Sequence, residues 1–240
     1  MIGTRNEGSL HASLKEYYWQ PGDLVEGNVD GYIIDLVQKD RLVEIQTSNF
    51  GALKGKLTNL LLGYQVLLVY PIALERELVQ VAPETGELLS TRKSPKKGTV
   101  YDLFSELVRI PHLLTHPNLT VEVLLVRDQE FRCPDGKGSW RRRGVSIVDR
   151  RLVQVVEKRT FTAPTDYLEV IPPELACPFT NKELAEACQI RVSQARKVSY
   201  TLKKAGLLME VGKIGNAILH ERVSNQKLST IYTGYPQDTA

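Results

Sequence analysis

The chain has 240 residues, 42% of them hydrophobic and 25% charged, enough to bury one large core or two modest ones. Its net charge is only +3, which excludes binding to polyanions through bulk charge and leaves any such attraction to local clusters. No apolar run approaches the ~18 residues of a membrane span, and the first eight residues are polar, so the expectation is a cytoplasmic protein with no membrane partner and no secretory signal.

The first elements follow from periodicity. Ser9 to Tyr18 reads as a helix with Ser9 as its cap and Leu10, Leu14, Tyr17 and Tyr18 on one face, and Pro21-Gly22 stops it. Leu24 to Val29, Gly31 to Gln38 and Arg41 to Thr47 read as three strands. Phe50, Leu53, Leu57, Leu60 and Leu61 return to helical spacing, with Gly63 placed to end that helix. Gln65 to Ile72 is almost continuously apolar, as in a strand buried on both faces, and a helical crossover before it favours parallel pairing. The expected order is α-β-β-β-α-β.

Further along, Glu77 to Ala82 and Glu87 to Thr91 read as a hairpin, and Arg92 to Gly98 as a basic loop. Thr99 to Leu114 reads as a helix broken near Pro111, and Thr120 to Val126 as a strand closing a first domain over residues 1–126. Residues 127–163 are expected to be a basic loop and charged connector, 164–226 a second domain, and 227–240 a tail. Cys133, Cys177 and Cys188 have neither C-x-x-C spacing nor a nearby histidine, which argues against zinc and against a disulfide framework.

The chemistry is concentrated in one hairpin. If Lys39-Asp40 is the turn, residue 38 lies opposite 41, 37 opposite 42, and Asp35 opposite Glu44. Like charges facing each other among Ile33, Ile34, Leu36, Val43 and Ile45 repel, and a divalent cation would offset that repulsion. Gln46, two residues past Glu44, leaves the same face and can orient a water or ligand.

The strings Gly31-Tyr-Ile-Ile-Asp35-Leu-Val and Leu42-Val-Glu44-Ile-Gln46-Thr47 resemble the core motif of PD-(D/E)XK nucleases, particularly the RecB-like and Holliday-junction-resolvase-like branches. The resemblance covers roughly residues 9–72 and implies a restriction-endonuclease-like mixed α/β fold. It also implies a Mg²⁺ (or Mn²⁺) ion on Asp35 and Glu44, and Gln46 at the third motif position, where the family usually has a lysine. Gln46 carries no charge, so Lys54 or Lys56 from the next helix would supply it, with Lys54 flanking the core-facing Leu53 and Leu57. For the acidic residue that many such nucleases add from the first helix, Glu16 is in the right element but projects away from the apolar stripe; His11 and Glu26 are the alternatives.

In the last third, Asn181 to Gln189 and Val192 to Ala205 read as two helices, followed by short strands over Met209 to Gly212 and Asn216 to Val223. This order, with T-N-K-E-L-A-E-A-C and S-Q-A-R-K-V-S-Y-T-L-K-K-A-G-L-L, resembles winged-helix domains. By that resemblance Ser193, Gln194, Arg196 and Lys197 open a recognition helix, Lys203 lies near its end, Lys213 sits at the wing tip, and DNA is the partner. The combined expectation is a Mg²⁺-dependent endonuclease with a winged helix that recruits DNA; the alternative is a non-catalytic DNA-binding protein. Cutting both strands of a duplex often requires two active sites, which makes a homodimer an expectation too.

Overall fold

The computed structural model describes residues 8–224; the expected tail over 227–240 lies outside the described residues. In chain order the elements are α1 (Ser9–Tyr18), β1 (Leu24–Val29), β2 (Tyr32–Val37), β3 (Leu42–Ile45), α2 (Phe50–Leu60), β4 (Val66–Val81), β5 (Leu88–Lys93), α3 (Phe104–Leu107), β6 (Leu119–Cys133), β7 (Ser146–Phe161), α4 (Pro164–Leu168), α5 (Asn181–Ala187), α6 (Val192–Lys204), β8 (Leu208–Ile214) and β9 (Ala217–Arg222). Seven strands form one mixed sheet in the order β1-β2-β3-β4-β6-β7, with β5 pairing the far half of β4. β3, β4 and β6 run parallel, because α2 and the segment around α3 return the chain to the same end of the sheet; the other pairings are antiparallel. The protein is therefore α/β, and the α-β-β-β-α-β order of its first part is the one expected. Among the described residues no helix is long and apolar enough to cross a membrane.

Each face of the sheet buries its own apolar layer. On one, Leu10, Leu14 and Tyr18 of α1 pack on Leu36, Val43, Ile45, Leu67, Val69 and Leu124. Ser9 does not cap that helix by itself. The cap position is Gly8, and Ser9 instead donates its backbone amide and hydroxyl to the Asp149 carboxylate of β7, at 3.1 and 2.6 Å, placing a negative charge at the helix N-terminus. The opposite face is larger. There Phe50, Leu53, Leu57 and Leu60 of α2 join Phe104 and Leu107 of α3 over Ile34, Leu68, Val121 and Val123.

Three expectations about the middle and end of the chain are corrected. The loop and connector expected over 127–163 are largely strand, because β6 continues to Cys133 and Ser146–Phe161 is the edge strand β7, paired along β6 from Val121↔Phe161 to Cys133↔Ser146. Charge hid these strands: Asp128 and Glu130 are buried and satisfied by Arg76 of β4, an arrangement that no local pattern reveals. The helix expected over 99–114 is short 3₁₀ turns around a four-residue α3. Nor is the C-terminal unit separate, since Phe161, Tyr167, Phe179, Leu184, Val198 and Leu202 continue the α2/α3 apolar layer without a break.

Local chemistry of that unit follows its sequence. Thr180 and Glu183 form a reciprocal capping box at the start of α5, with Glu183 N–H donating to Thr180 Oγ1 at 3.3 Å and Thr180 N–H to Glu183 Oε2 at 2.7 Å. Gly206, with φ 77°, ends α6 and turns the chain into the β8-β9 hairpin. α6 then packs against the 99–113 segment, where Gln194 Nε2 donates to Asp102 Oδ1 at 3.0 Å and Lys197 Nζ to Ser105 Oγ at 2.9 Å.

Candidate active site

The β2-β3 hairpin has the register read from its turn. Gln38 N–H donates to Arg41 O at 2.9 Å, and Val37↔Leu42 and Leu36↔Val43 are partners. One further step sets Asp35 level with Glu44. The ladder stops there because the Asp35 carboxylate takes the next backbone donor: Ile45 N–H donates to Asp35 Oδ2 at 2.7 Å. The ladder on the other side of Asp35 is broken as well. β1 pairs Val25↔Leu36 and Gly27↔Ile34 but skips Glu26, whose φ of 53° puts it in the left-handed region. Such a conformation costs a non-glycine residue on the order of 1 kcal/mol and concentrates at functional positions. Asp35 thus stands where the sheet opens on both sides.

Two lysines and a histidine reach the three carboxylates at this opening. His11 of α1 places Nε2 at 2.9 Å from Ile45 O and 3.3 Å from Asp35 Oδ2, so Nε2 must carry its hydrogen to donate to that carbonyl. Lys15, one turn on, pairs with Glu26 at 3.0 Å. Lys56 of α2 pairs with Glu44 Oε2 at 2.6 Å and also donates to Ile33 O at 2.6 Å. Burial and the neighbouring Asp35 charge push the Glu44 carboxyl above its ordinary value of 4.5, and the Lys56 hydrogen bond pulls it back in part.

The raised Glu44 value has a sign that can be checked. A carboxyl whose folded value lies above its unfolded one contributes stability that is fully present below pH ~4.5 and is lost as pH rises through the folded value. Urea midpoints of the wild type and Glu44→Gln, followed from pH 4 to 7, should therefore show the wild type losing stability relative to the variant as pH rises. A constant difference would mean that Glu44 titrates normally.

The residues expected from sequence are distributed unequally. Asp35 and Glu44 come together, and Gln46 follows on the same strand line, half-buried, with its amide on Val69 O at 2.9 Å. Lys54 does not reach the site: it is exposed on the other flank of α2, and its charge is felt by His112. Lys56 holds the place assigned to Lys54. Glu16 is exposed, whereas His11 and Glu26 are both in the site. On α6, Gln194 donates to Asp102 and Lys197 to Ser105, and Lys203 pairs with Glu210 at 2.5 Å; Ser193, Arg196, Lys197 and Lys213 are exposed. Missed in sequence was the cavity beyond the end of β3, about 260 Å³, lined by Thr47, Tyr70, Ile72, Arg76, Lys96 and Arg150 among others.

Among the described residues no group of three or more His, Cys, Asp or Glu is arranged to hold a metal ion. The donor chemistry nonetheless suits Mg²⁺, which is typically held by one or two carboxylates plus water and phosphate oxygens. Asp35 and Glu44 supply two mutually repelling carboxylates, with the ammonium of Lys56 on one of them as a built-in cation.

Fold and site together define an α/β protein with a carboxylate pair at an opening in a mixed sheet. The chain belongs to the DUF8091 family, described as a domain of unknown function, which matches residues 8–162 and so takes in the whole seven-stranded sheet. An uncharacterized protein of Treponema pallidum (strain Nichols) is 35% identical over 161 residues, 67% of this chain. The chain spans 64% of that relative's length. No solved structure matches it.

Proposed function

We propose that the protein is a Mg²⁺- or Mn²⁺-dependent nuclease of the PD-(D/E)XK type with a restriction-endonuclease-like core, and that α5, α6, β8 and β9 are its winged helix. The observation that carries this reading is the convergence of Asp35, Glu44 and Lys56 from three elements onto one opening of the sheet. Asp35 and Glu44 would hold the metal, which when bound would supply a water of lowered pKa and polarisation of a DNA phosphate. Lys56 supplies the positive charge that Gln46 cannot, positioned to stabilise charge developing on the phosphate oxygens. The Ile45 N–H ties the Asp35 carboxylate to β3 with His11 Nε2 beside it at 3.3 Å, and Lys15 pairs with Glu26. On the winged helix, Ser193, Arg196, Lys197 and the wing-tip Lys213 are the exposed groups that would meet DNA.

A second reading, a non-catalytic DNA-binding protein, is favoured by one observation: Glu26 and Glu44 are each already met by a lysine of the chain, and Asp35 by His11 and the Ile45 backbone N–H. The two separate in a single assay. The full chain with Mg²⁺ or Mn²⁺ should cut linear, nicked or single-stranded DNA and leave it intact in EDTA. DNA bound but uncut under every metal condition would overturn the nuclease reading in favour of the second; preferential cutting of RNA would move the substrate from DNA to RNA.

A further inference from the structure

The basic loop 92–98 is pinned at both ends to β4. Ser94 N–H donates to Arg76 O and Gly98 N–H to Ala73 O, both at 2.8 Å. Thr99 N–H then donates to Asp102 Oδ2 at 3.3 Å, and the other oxygen of Asp102 holds Gln194 of α6. Gly98 is required there, since a Cβ would lie 2.5 Å from Ile72 Cγ2 and 2.6 Å from Ala73 O. The loop is thus a strap laid along β4, tied to the sheet and to the C-terminal unit, rather than a free excursion.

Between its anchors the strap presents Lys96 and Lys97, and just before the first anchor β5 ends on Arg92 and Lys93; all four are exposed and have no carboxylate within ion-pair distance among the described residues. Of the nearby acids, Glu75 pairs with Arg127 at 3.3 Å and Asp128 with Arg76 at 2.5 Å, while Glu77, level with Lys93 in the β4-β5 ladder, accepts from Gln129 at 2.6 Å. Lys96 and Lys97 thus stand exposed on a fixed segment with no ion-pair partner among the described residues, a local positive patch that attracts a polyanion. Their position gives that polyanion a direction. Lys96 lines the 260 Å³ cavity whose wall also carries Thr47, three residues past Glu44, and Leu10, next to His11. Lys93 and Lys97 line a second cavity of about 320 Å³ on the strap's other side.

We propose that the 92–98 strap binds the phosphodiester backbone of the nucleic acid and leads it to the Asp35/Glu44 opening. The inference rests on the nuclease reading for its ligand class. It assigns backbone contact to a part of the sheet domain, with Lys96 and Lys97 as the principal phosphate contacts.

The test is fluorescence anisotropy with labelled duplex DNA, single-stranded DNA and RNA oligonucleotides, using the full chain in EDTA so that nothing is cut. Lys96→Ala/Lys97→Ala should bind roughly tenfold or more weakly at 0.1 M salt, whatever the base sequence, and its salt dependence on duplex should be shallower by about 1.8 in log–log slope. Lys96→Arg/Lys97→Arg should restore both. All variants carry surface changes only, and matching thermal unfolding curves confirm that the fold is kept. Equal affinity and equal slope for the alanine pair would overturn the strap, as would wild-type protein that binds none of the three oligonucleotides at low salt. Failure of the nuclease reading looks different: binding that depends on Lys96 and Lys97, with no cutting when metal is added. Which oligonucleotide shows the largest loss identifies the preferred nucleic acid.

Discussion

Glu44→Gln is expected to lower metal-dependent cleavage on the order of 10³-fold while leaving DNA affinity in EDTA within about twofold. The magnitude follows from losing a metal-holding carboxylate: several kcal/mol of charge stabilisation disappear, and each ~1.36 kcal/mol is a factor of ten in rate. Stability should not explain the loss. Glu44 is buried and its charge is opposed by burial and by Asp35, so replacing it with a neutral isostere removes an unfavourable term as well as the Lys56 pair. Lys56→Met should behave differently. It removes the charge but keeps the carboxylates, so cleavage should fall on the order of 10²-fold with metal affinity kept or tightened, since the ammonium no longer competes for Glu44 Oε2. Titrating Mg²⁺ in the cleavage assay separates the two variants. Undiminished cutting by Glu44→Gln would sink the site assignment, and undiminished cutting by Lys56→Met would return the missing lysine role to another residue.

The second large effect concerns stability. Arg76→Met should destabilise the protein by about 3–5 kcal/mol, a large part of the ~5–15 kcal/mol that holds a typical domain. Arg76 grips Asp128 through Nε at 2.8 Å and NH2 at 2.5 Å, and Glu130 through NH1 at 2.8 Å. Both carboxylates are almost wholly buried, at 2% and 1% exposure, so neither can turn to water if its partner is removed. They differ in what remains. Arg132 and Arg150 also reach Glu130, at 2.7 and 2.9 Å. Burial alone would push the Glu130 carboxyl up, and its arginines more than offset that, holding it below its ordinary range. Asp128 keeps no other arginine within ion-pair distance among the described residues. The deficit should therefore be carried by Asp128, and Arg76→Met/Asp128→Leu should recover much of it.

The pH dependence of that deficit can be signed. In the wild type the Glu130 carboxyl is held below its ordinary range, so the stability it contributes is present at neutral pH and is lost as pH falls through its folded value; Arg76→Met removes one of the arginines that hold it there and leaves less to lose. Thermal unfolding of both proteins at pH 4 and 7 should show the gap narrowing at the lower pH. An unchanged melting temperature for Arg76→Met at pH 7 would mean that the network contributes nothing to stability.

Much of the first part of the fold is legible in sequence because it is local. The Asp35-Glu44 register depends on a turn of two residues and a side-chain period of two, and both are set within a dozen positions. α1 and α2 announce themselves by apolar spacing, and the capping box of α5 by Thr180 and Glu183. The parallel neighbour of β3 was also readable, since a helix sits between two apolar runs.

Elsewhere the deciding partner is far along the chain. Lys54 and Lys56 flank the buried face of α2 on opposite sides, and sequence gives the flanks without saying which one lies over β3; only the packing of α2 on the sheet puts Lys56 on Glu44. β6 looks too charged to be a strand because the arginine that neutralises Asp128 and helps neutralise Glu130, Arg76, belongs to β4, 52 and 54 positions away respectively. α6 shows Gln194 and Lys197 as exposed polar residues in any helical projection, yet Asp102 and Ser105, 92 positions away, take both.

By itself, then, the sequence determined the hairpin that sets two carboxylates level, the α-β-β-β-α-β order around it, and the basic composition of the 92–98 loop. Each depends on spacing along the chain or on turn geometry. The tertiary structure alone decided which cation meets each carboxylate, which charged strands are buried, how the C-terminal helices seat on α3, and that the basic loop is fixed along β4 beside the cavity past Glu44. Those outcomes depend on how faces of distant elements meet, and a charge is exposed or satisfied only once its neighbour in space is in place.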